Sequence, residues 1–175
     1  MIDAVARLDP LSVMVLAFVT VQRLAELVYA RHNETRLLAR GAVEHGAEHY
    51  LAIVGLHTAW LMGLWMLASD IQPHPIWLLA FVALQAARLW VLVTLGSRWT
   101  TRIIVLPDKP LVHTGPYRLL SHPNYAVVTG EIFVLPMVYG LLLYALLFSA
   151  LNAAILTVRI CAEEKALRES TDGTQ

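Results

Sequence analysis

Two polar, aromatic clusters interrupt an otherwise apolar chain and supply its candidate chemistry. The first is the run G-P-Y-R-L-L-S-H-P-N-Y at residues 115–125, which contains Tyr117, His122 and Tyr125. Proline fixes φ and disfavours helix in the preceding residue, so the two prolines make this run rigid. Taken alone, the run is explained equally well as an interfacial loop in which Tyr and Arg anchor the chain among lipid headgroups.

The second cluster is R-I-C-A-E-E at residues 159–164. In a helix, Arg159 and Glu163 share a face, and their ordinary role would be an exposed salt bridge of almost no net stability. Beside apolar walls and the first cluster, the pair instead predicts a site for a charged, zwitterionic ligand. Neither a G-x-G-x-x-G nor a P-loop pattern occurs, and no His or Cys spacing indicates a metal. The single cysteine, Cys161, excludes an intramolecular disulfide.

Composition predicts a membrane protein of one domain, residues 1–175. Hydrophobic residues make up 58% of the chain and charged residues 15%, with a mean hydropathy of +0.60. The first apolar run, residues 11–30, lacks a basic leader and exceeds the length of a signal-peptide core. We therefore predict that it is a retained helix.

The apolar segments predict an all-α polytopic membrane protein with about five transmembrane helices. Three spans are expected at residues 11–30, 49–68 and 76–95. Residues 125–160 have no loop composition, and one helix of that length would be about 54 Å long. Pro136 and Gly140 provide a break, so the last two helices should form a hairpin with arms 126–137 and 139–160. Residues 31–48 are expected to form a polar connection with a short surface helix, and residues 103–106 a strand-like or re-entrant wall.

Several ionisable residues fall inside the predicted spans. Arg23 and Glu26 can pair at i,i+3, and their position near the end of the first span favours snorkelling to the interface over a buried pair. Arg88 follows Gln85 by one turn, and Glu131 must face protein, water or a ligand because lipid would be too costly. A lone histidine, His57, is expected to be a packed residue.

The distribution of basic residues predicts the orientation. Five helices, with the N-terminus outside and the C-terminus cytoplasmic, put every basic loop on the cytoplasmic side, in agreement with the positive-inside rule. His122 and Arg159 then lie at the same membrane face. The predicted location is the bacterial cytoplasmic (inner) membrane, with the site on its cytoplasmic side.

Both clusters together resemble the isoprenylcysteine carboxyl methyltransferase family, in its bacterial branch. The resemblance rests on G-P-Y at 115–117, H-P-N-Y at 122–125, Arg159, and the pair Glu163 and Glu164. It covers residues 111–167 well and the membrane layout loosely. The family usually has Arg where this chain has Ser121, and often Gly where it has Val127.

The resemblance implies a membrane-embedded methyltransferase that uses S-adenosylmethionine, with the cofactor-binding half at residues 98–170. Glu163 would take the cofactor's ammonium group, and Arg159 would face a lipophilic acceptor from the bilayer; Arg159, Glu163 and Glu164 are the expected catalytic residues. Arg88 and Glu131 are expected to line the acceptor cavity. The residues expected to line the cofactor are Leu111, Val112, Tyr117, His122, Pro123, Asn124 and Tyr125.

The acceptor is open between a prenylcysteine carboxylate and a long-chain phenol or pyrone. A phenol needs a general base, for which His122, Glu164 and Glu131 are candidates in that order. Methyl transfer that is confined to prenylated cysteine would exclude the phenol.

Two other functions remain possible from the sequence. A membrane reductase of the sterol-reductase type would bind NADPH, with Arg98, Arg102 and Arg118 available for its 2′-phosphate. A non-catalytic membrane protein would use both clusters only as interface anchors, and neither metal nor nucleic acid is an expected partner.

Overall fold

The computed structural model describes residues 8–105 and 112–172, except for the side chains of residues 48, 49 and 167–172. Within these ranges the chain forms five α-helices and one pair of short strands. The helices are α1 (Pro10–Leu38), α2 (Ala47–Ala68), α3 (Pro75–Leu95), α4 (Pro123–Val138) and α5 (Leu142–Asp172). The strands β1 (Val43–His45) and β2 (Ile103–Val105) pair antiparallel, with Glu44 opposite Ile104.

Proline and capping residues set where the helices begin. The Asp9 side chain accepts a 2.9 Å hydrogen bond from the Ser12 backbone N–H, and Pro10 follows it in the first turn of α1. Pro75 and Pro123 occupy the same first-turn position in α3 and α4, where the missing N–H costs nothing. The starts of α1, α3 and α4 are therefore encoded locally.

The predicted hairpin is present, but its bounds differ from the prediction. The first arm covers residues 123–138 where 126–137 was expected, and the second covers 142–172 where 139–160 was expected. α4 contains Pro136 and ends at Val138, and Gly140 adopts a positive φ of 72° before α5 begins. α4 has 16 residues, about 24 Å, which is shorter than a hydrocarbon core of about 30 Å.

Four of the helices are long and apolar enough to cross a membrane: Pro10–Leu38, Tyr50–Ala68, Pro75–Arg98 and Leu142–Ala166. These four helices, together with the predominantly helical content, agree with the predicted all-α membrane protein. The exact number of crossings and their orientation stay predictions.

The first helix differs from its prediction. α1 continues to Leu38, two turns beyond the predicted span, so much of the expected polar connection is helix. The polar residues Asn33 and Glu34 of this extension are buried, together with Leu37. The composition resembled a loop because the partners of these polar groups lie far along the chain, as described below.

The segments that connect the helices lie at the two ends of the helix bundle. At one end, the Asp9 N–H donates to the Ser69 carbonyl at 2.9 Å, and the His74 N–H donates to the Val138 carbonyl at 2.7 Å. The opposite end holds the strands, the C-terminal half of α5 and the arginine-rich segments; we call it the basic end. The core between the ends is built from α1 to α4 and the start of α5, and includes Leu16, Trp60, Leu64, Phe81, Ile132, Leu135 and Ala145.

Candidate active site

A short 3₁₀ turn, Gly115–Arg118, places the first polar cluster against the end of α3. Gly115 has a φ of +57°, and a Cβ atom there would lie 2.5 Å from Thr94 Oγ1 and 3.2 Å from Trp90 Nε1. Only glycine therefore permits this close approach. Pro116 is buried beneath the turn, which fixes the chain's entry into α4.

Tyr125 joins the two sequence clusters. Its hydroxyl donates to Glu163 Oε2 at 2.5 Å and accepts a hydrogen bond of 2.9 Å from Arg159 Nε. The Arg159 guanidinium also donates to the Thr101 carbonyl at 2.7 Å. Although Arg159 and Glu163 share a face of α5, the phenol of Tyr125 lies between their charged groups. The structure thus brings His122, Tyr125, Arg159 and Glu163 to one end of the bundle.

His122 completes this arrangement from the start of α4. Its ring stacks on the Tyr125 ring with a centroid separation of 5.4 Å and an interplanar angle of 17°. Its Nδ1 lies 3.8 Å from Glu163 Oε2, within ion-pair distance when the imidazole is protonated. The imidazole, phenol and carboxylate therefore form one continuous surface.

Tyr117 is a half-buried neighbour of the same carboxylate. Burial, and then the negative charge of Glu163, raise the pKa of the Tyr117 phenol to about 12. A tyrosine is already neutral at physiological pH, and the raised pKa keeps this phenol neutral in alkaline solution as well, so its ring can face a cation without a charge of its own.

Asn124 supplies an unused hydrogen-bond acceptor. Its Oδ1 is buried and has no hydrogen-bond partner among the described residues. An orphaned buried acceptor is unfavourable unless a ligand or water donates to it. An amino or hydroxyl group of a ligand could donate the hydrogen bond that this atom lacks. Pro123 is buried beside it and Val112 is half-buried, whereas Leu111 lies outside the described residues.

The remaining member of the predicted catalytic set is placed differently. Glu164 is exposed on α5, next in sequence to the half-buried Glu163. The contacts of the Arg159–Tyr125–Glu163 arrangement therefore do not include the Glu164 carboxylate. Its predicted role as a base remains a prediction.

A second charged cluster lies deeper in the bundle. Glu131 Oε2 accepts bonds of 2.7 Å from both Arg88 Nη1 and Arg23 Nη2, and Glu131 Oε1 accepts a 2.8 Å bond from Gln85 Nε2. Arg88 also binds Glu26 through two donors, one of them Nε at 2.5 Å from Glu26 Oε1. The positive charges of two arginines are thus balanced by the negative charges of two glutamates at the place where α1, α3 and α4 meet.

This deeper cluster corrects one expectation. Arg23 does not snorkel to the interface. Its guanidinium forms ion pairs with the buried carboxylates of Glu131 and Glu26, because an ionised side chain inside a span is stabilised by pairing within the bundle. Six residues separate Tyr125 from Glu131, which places their side chains about 120° apart around α4. Contact of Arg88 and Glu131 with an acceptor stays a prediction. His57 is half-buried and its Nδ1 donates to the Ile53 carbonyl at 2.9 Å, as expected for a packed residue.

Sequence reasoning missed Asn33, Glu34 and Thr101. Asn33 donates to the carbonyls of Gly96 and Trp99 at 3.2 and 2.9 Å, and Glu34 accepts from Thr101. The available signal was the spacing of Ala30, Asn33, Glu34 and Leu37, which marks one face of a continuing helix.

The arrangement can bind opposite charges close together. A carboxylate and a guanidinium, held apart by one hydroxyl, suit an ammonium group and an oxyanion bound side by side. Among the residues that the structure describes, no three His, Cys, Asp or Glu side chains gather as a possible metal site.

Fold and site together define a helical membrane protein with a charged site at one end of its bundle. The family model described as "Isoprenylcysteine carboxyl methyltransferase (ICMT) family" matches residues 77–169. This chain belongs to that family, and membership indicates a membrane methyltransferase.

Two bacterial relatives extend the similarity over most of the chain. Both are described as uncharacterized proteins. YpbQ of Bacillus subtilis is 41% identical over 161 residues, covering 89% of this chain and 96% of YpbQ. A protein of Haemophilus influenzae is 26% identical over 156 residues, covering 83% of this chain and 88% of that protein. No solved structure matches the chain.

Proposed function

We propose that this protein transfers a methyl group from S-adenosylmethionine to an oxygen of a lipophilic acceptor at the cytoplasmic face of the bacterial inner membrane. The observation that carries the proposal is the Tyr125 hydroxyl, which binds Arg159 and Glu163 at 2.9 and 2.5 Å. Family membership supplies the reaction class, and this contact joins the family's two motif positions.

The proposed cofactor contacts follow from the chemistry of the side chains. Glu163 would bind the ammonium group, and Asn124 Oδ1 would accept a hydrogen bond from an amino or hydroxyl group. The neutral phenol of Tyr117 and the stacked rings of His122 and Tyr125 would face the sulfonium through cation–π attraction. Pro123, Val112 and Leu111 would complete the apolar part of the wall.

The proposed acceptor contact is Arg159. S-adenosylmethionine supplies a methyl group activated by its positive sulfonium. A guanidinium fixed by Tyr125 and Thr101 can hold an oxyanion in line with that methyl group, and alignment is the main requirement of such a displacement. Exclusion of water favours the reaction because both charges disappear in it.

The need for a base depends on the acceptor. A carboxylate is already ionised, so Arg159 alone would suffice to orient it. A phenol or enol must lose its proton, for which His122, Glu164 and Glu131 are the proposed bases in that order. The depth of Glu131 within the paired cluster makes it the least accessible of the three.

The test is tritium transfer from methyl-labelled S-adenosylmethionine into an organic extract by the purified protein in detergent. An N-acetylated S-farnesylcysteine and a pentadecylphenol serve as acceptors. Glu163→Ala should abolish transfer, whereas Glu164→Ala, which changes the neighbouring exposed glutamate, should retain transfer to the carboxylate acceptor. Equal activity of Glu163→Ala and wild type would contradict the proposed site.

The same assay separates the two acceptor classes. Transfer to the pentadecylphenol would support the phenol, and loss of only that activity in His122→Ala would support His122 as its base. Transfer to the farnesylcysteine and never to the phenol would exclude the phenol class.

A further inference from the structure

The loop that receives Arg159 is itself held by α1. The side chain of Asn33 binds the carbonyls of Gly96 and Trp99, and the next residue, Glu34, binds the segment that follows. Both side chains are buried, with Glu34 only 7% exposed. Buried polar groups in native proteins are almost always hydrogen-bonded. The hydrogen bonds of Asn33 and Glu34 therefore hold residues 96–102 against this part of α1.

Three donors converge on one oxygen of Glu34. The Thr101 N–H, the Thr101 hydroxyl and the Arg102 N–H donate to Glu34 Oε1 at 3.2, 3.1 and 3.3 Å. The Tyr50 hydroxyl lies 3.2 Å from Thr101 Oγ1 and donates to it, since the threonine proton points to Glu34. A charged oxygen suits such convergence better than an amide oxygen.

One peptide group connects Glu34 to Arg159. The peptide between Thr101 and Arg102 donates its N–H to Glu34 Oε1 at 3.3 Å, while its carbonyl oxygen accepts from Arg159 at 2.7 Å. A carboxylate on the N–H side polarises the peptide and makes its carbonyl a stronger acceptor for a cation. The negative Glu34 and the positive Arg159 thus stabilise each other across this peptide.

We propose that Glu34 is a positioning residue for Arg159, acting through the Thr101–Arg102 peptide group. The proposal rests on the proposed function insofar as Arg159 holds the acceptor; the geometric coupling does not depend on it. Glu34 would set the direction of the guanidinium and leave the cofactor contact at Glu163 unchanged.

A matched control is available on β1. Glu44 Oε1 accepts a 2.7 Å bond from Arg102 Nη1, so it binds the same arginine as Glu34 without binding the Thr101–Arg102 N–H. Glu44→Gln and Glu34→Gln therefore remove the same charge from neighbouring sites. Only Glu34→Gln replaces the charged oxygen that accepts a hydrogen bond from the Thr101–Arg102 N–H. Only this change should therefore weaken the carbonyl of that peptide as an acceptor for Arg159.

The geometric test is NMR of the full-length protein labelled with ¹⁵N-arginine in detergent micelles. The Nε–Hε signal of Arg159 is assigned from its absence in Arg159→Lys. We expect a shifted signal in Glu34→Gln, a broadened signal in Glu34→Ala, and an unchanged signal in Glu44→Gln. An unchanged Arg159 signal in folded Glu34→Gln would overturn the proposal, even if Glu34→Ala fails to fold.

The functional test uses the N-acetylated S-farnesylcysteine as acceptor. Glu34→Gln should raise the acceptor KM by roughly threefold to tenfold, as expected for one weakened charge-assisted hydrogen bond, with S-adenosylhomocysteine affinity within about twofold of wild type. Equal losses for acceptor and cofactor would indicate a merely structural role and contradict the proposal. Absence of methyl transfer in wild type would contradict the proposed function, and the NMR result would still decide this inference.

Discussion

At the scale of single residues, the site separates two charges that could have paired. Arg159 and Glu163 occupy i and i+4 positions on α5, yet the Tyr125 hydroxyl accepts from one and donates to the other. A direct salt bridge would neutralise both groups before a ligand arrived. The phenol keeps each charge directed and available, so Glu163 can bind an ammonium group while Arg159 binds an oxyanion beside it.

The raised pKa of Tyr117 predicts a pH dependence of stability. The phenol keeps its proton in the folded protein, with a pKa of about 12 against 10.0 in the unfolded chain. Its contribution is therefore fully present below pH 10 and is lost as the pH rises towards 12. In Tyr117→Phe, which has no phenol to titrate, the free energy of unfolding should fall less between pH 10 and pH 12 than in wild type.

The measurement for Tyr117 is chemical unfolding of the detergent-solubilised protein across alkaline pH. The reference is the wild-type protein unfolded under the same conditions at each pH. Parallel alkaline decline in wild type and Tyr117→Phe would contradict the prediction.

At the scale of elements, three unrelated segments meet around the site. The 3₁₀ turn before α4 supplies Tyr117, α4 supplies Tyr125, and α5 supplies Arg159 and Glu163, with the loop after α3 behind them. Each segment is fixed by a local constraint, such as Gly115 in the turn or Pro123 at the helix start. A substitution that alters the backbone at one of these positions should therefore displace the side chains of the site.

Gly115→Ala should destabilise the protein and weaken the site together. The left-handed φ alone costs about 1–2 kcal/mol for a residue with a Cβ, and the contact with Thr94 adds to this cost. The double variant Gly115→Ala with Thr94→Ala should recover only the stability lost through the contact with Thr94, and the cost of the left-handed φ should stay. Thermal unfolding in detergent measures both variants, and an unchanged melting temperature in Gly115→Ala would contradict the close packing.

The deeper charged cluster predicts a large loss of stability on partial neutralisation. Glu131→Gln leaves Arg23 and Arg88 without a shared carboxylate, and breaking a buried pair in this way costs about 3 kcal/mol or more. The equally short pair of Glu44 and Arg102 is partly exposed, so Glu44→Gln should cost at most about 1 kcal/mol. Unfolding by sodium dodecyl sulfate in mixed micelles measures both, and equal losses would contradict the buried role.

At the scale of the whole molecule, the helical class and the order of the five helices could be predicted from the sequence. Apolar runs predicted α2 and α3 to within two residues at each end, and the break at Pro136 and Gly140 predicted α4 to within three, whereas α1 and α5 continue eight and twelve residues beyond their predicted ends. These features are local, because composition and backbone restriction are read from neighbouring residues. The hairpin, which returns the chain to the side it left, predicted that His122 and Arg159 would lie at one end.

The missed features depend on distant partners. Glu34 and Thr101 are 67 residues apart, and Arg23 and Glu131 are 108 residues apart. The polar extension of α1 resembles a loop until Thr101 is placed against it, and Arg23 resembles an interface anchor until Glu131 is placed beside it. Such pairings become visible only in three dimensions.

The orientation of the molecule can be tested with its own cysteine. Cys161 is exposed on α5 at the basic end, and it is the only cysteine in the chain. A membrane-impermeant maleimide should label it in inverted inner-membrane vesicles and not in intact spheroplasts. Asp70→Cys in a Cys161→Ser background, at the opposite end, should give the reverse pattern. Labelling of Cys161 from outside would contradict a cytoplasmic site.

The proposed binding of S-adenosylmethionine and its product to Glu163, within the Arg159–Tyr125–Glu163 arrangement, is the step on which the proposed function depends. Its most direct test is a calorimetric titration of the purified protein in detergent with S-adenosylhomocysteine, with NADPH as the parallel titrant. We expect binding of S-adenosylhomocysteine to wild type, its loss in Glu163→Ala, and no binding of NADPH. Binding of NADPH alone would contradict the proposed methyltransferase and indicate a reductase, and binding of neither would leave the two clusters as interface anchors.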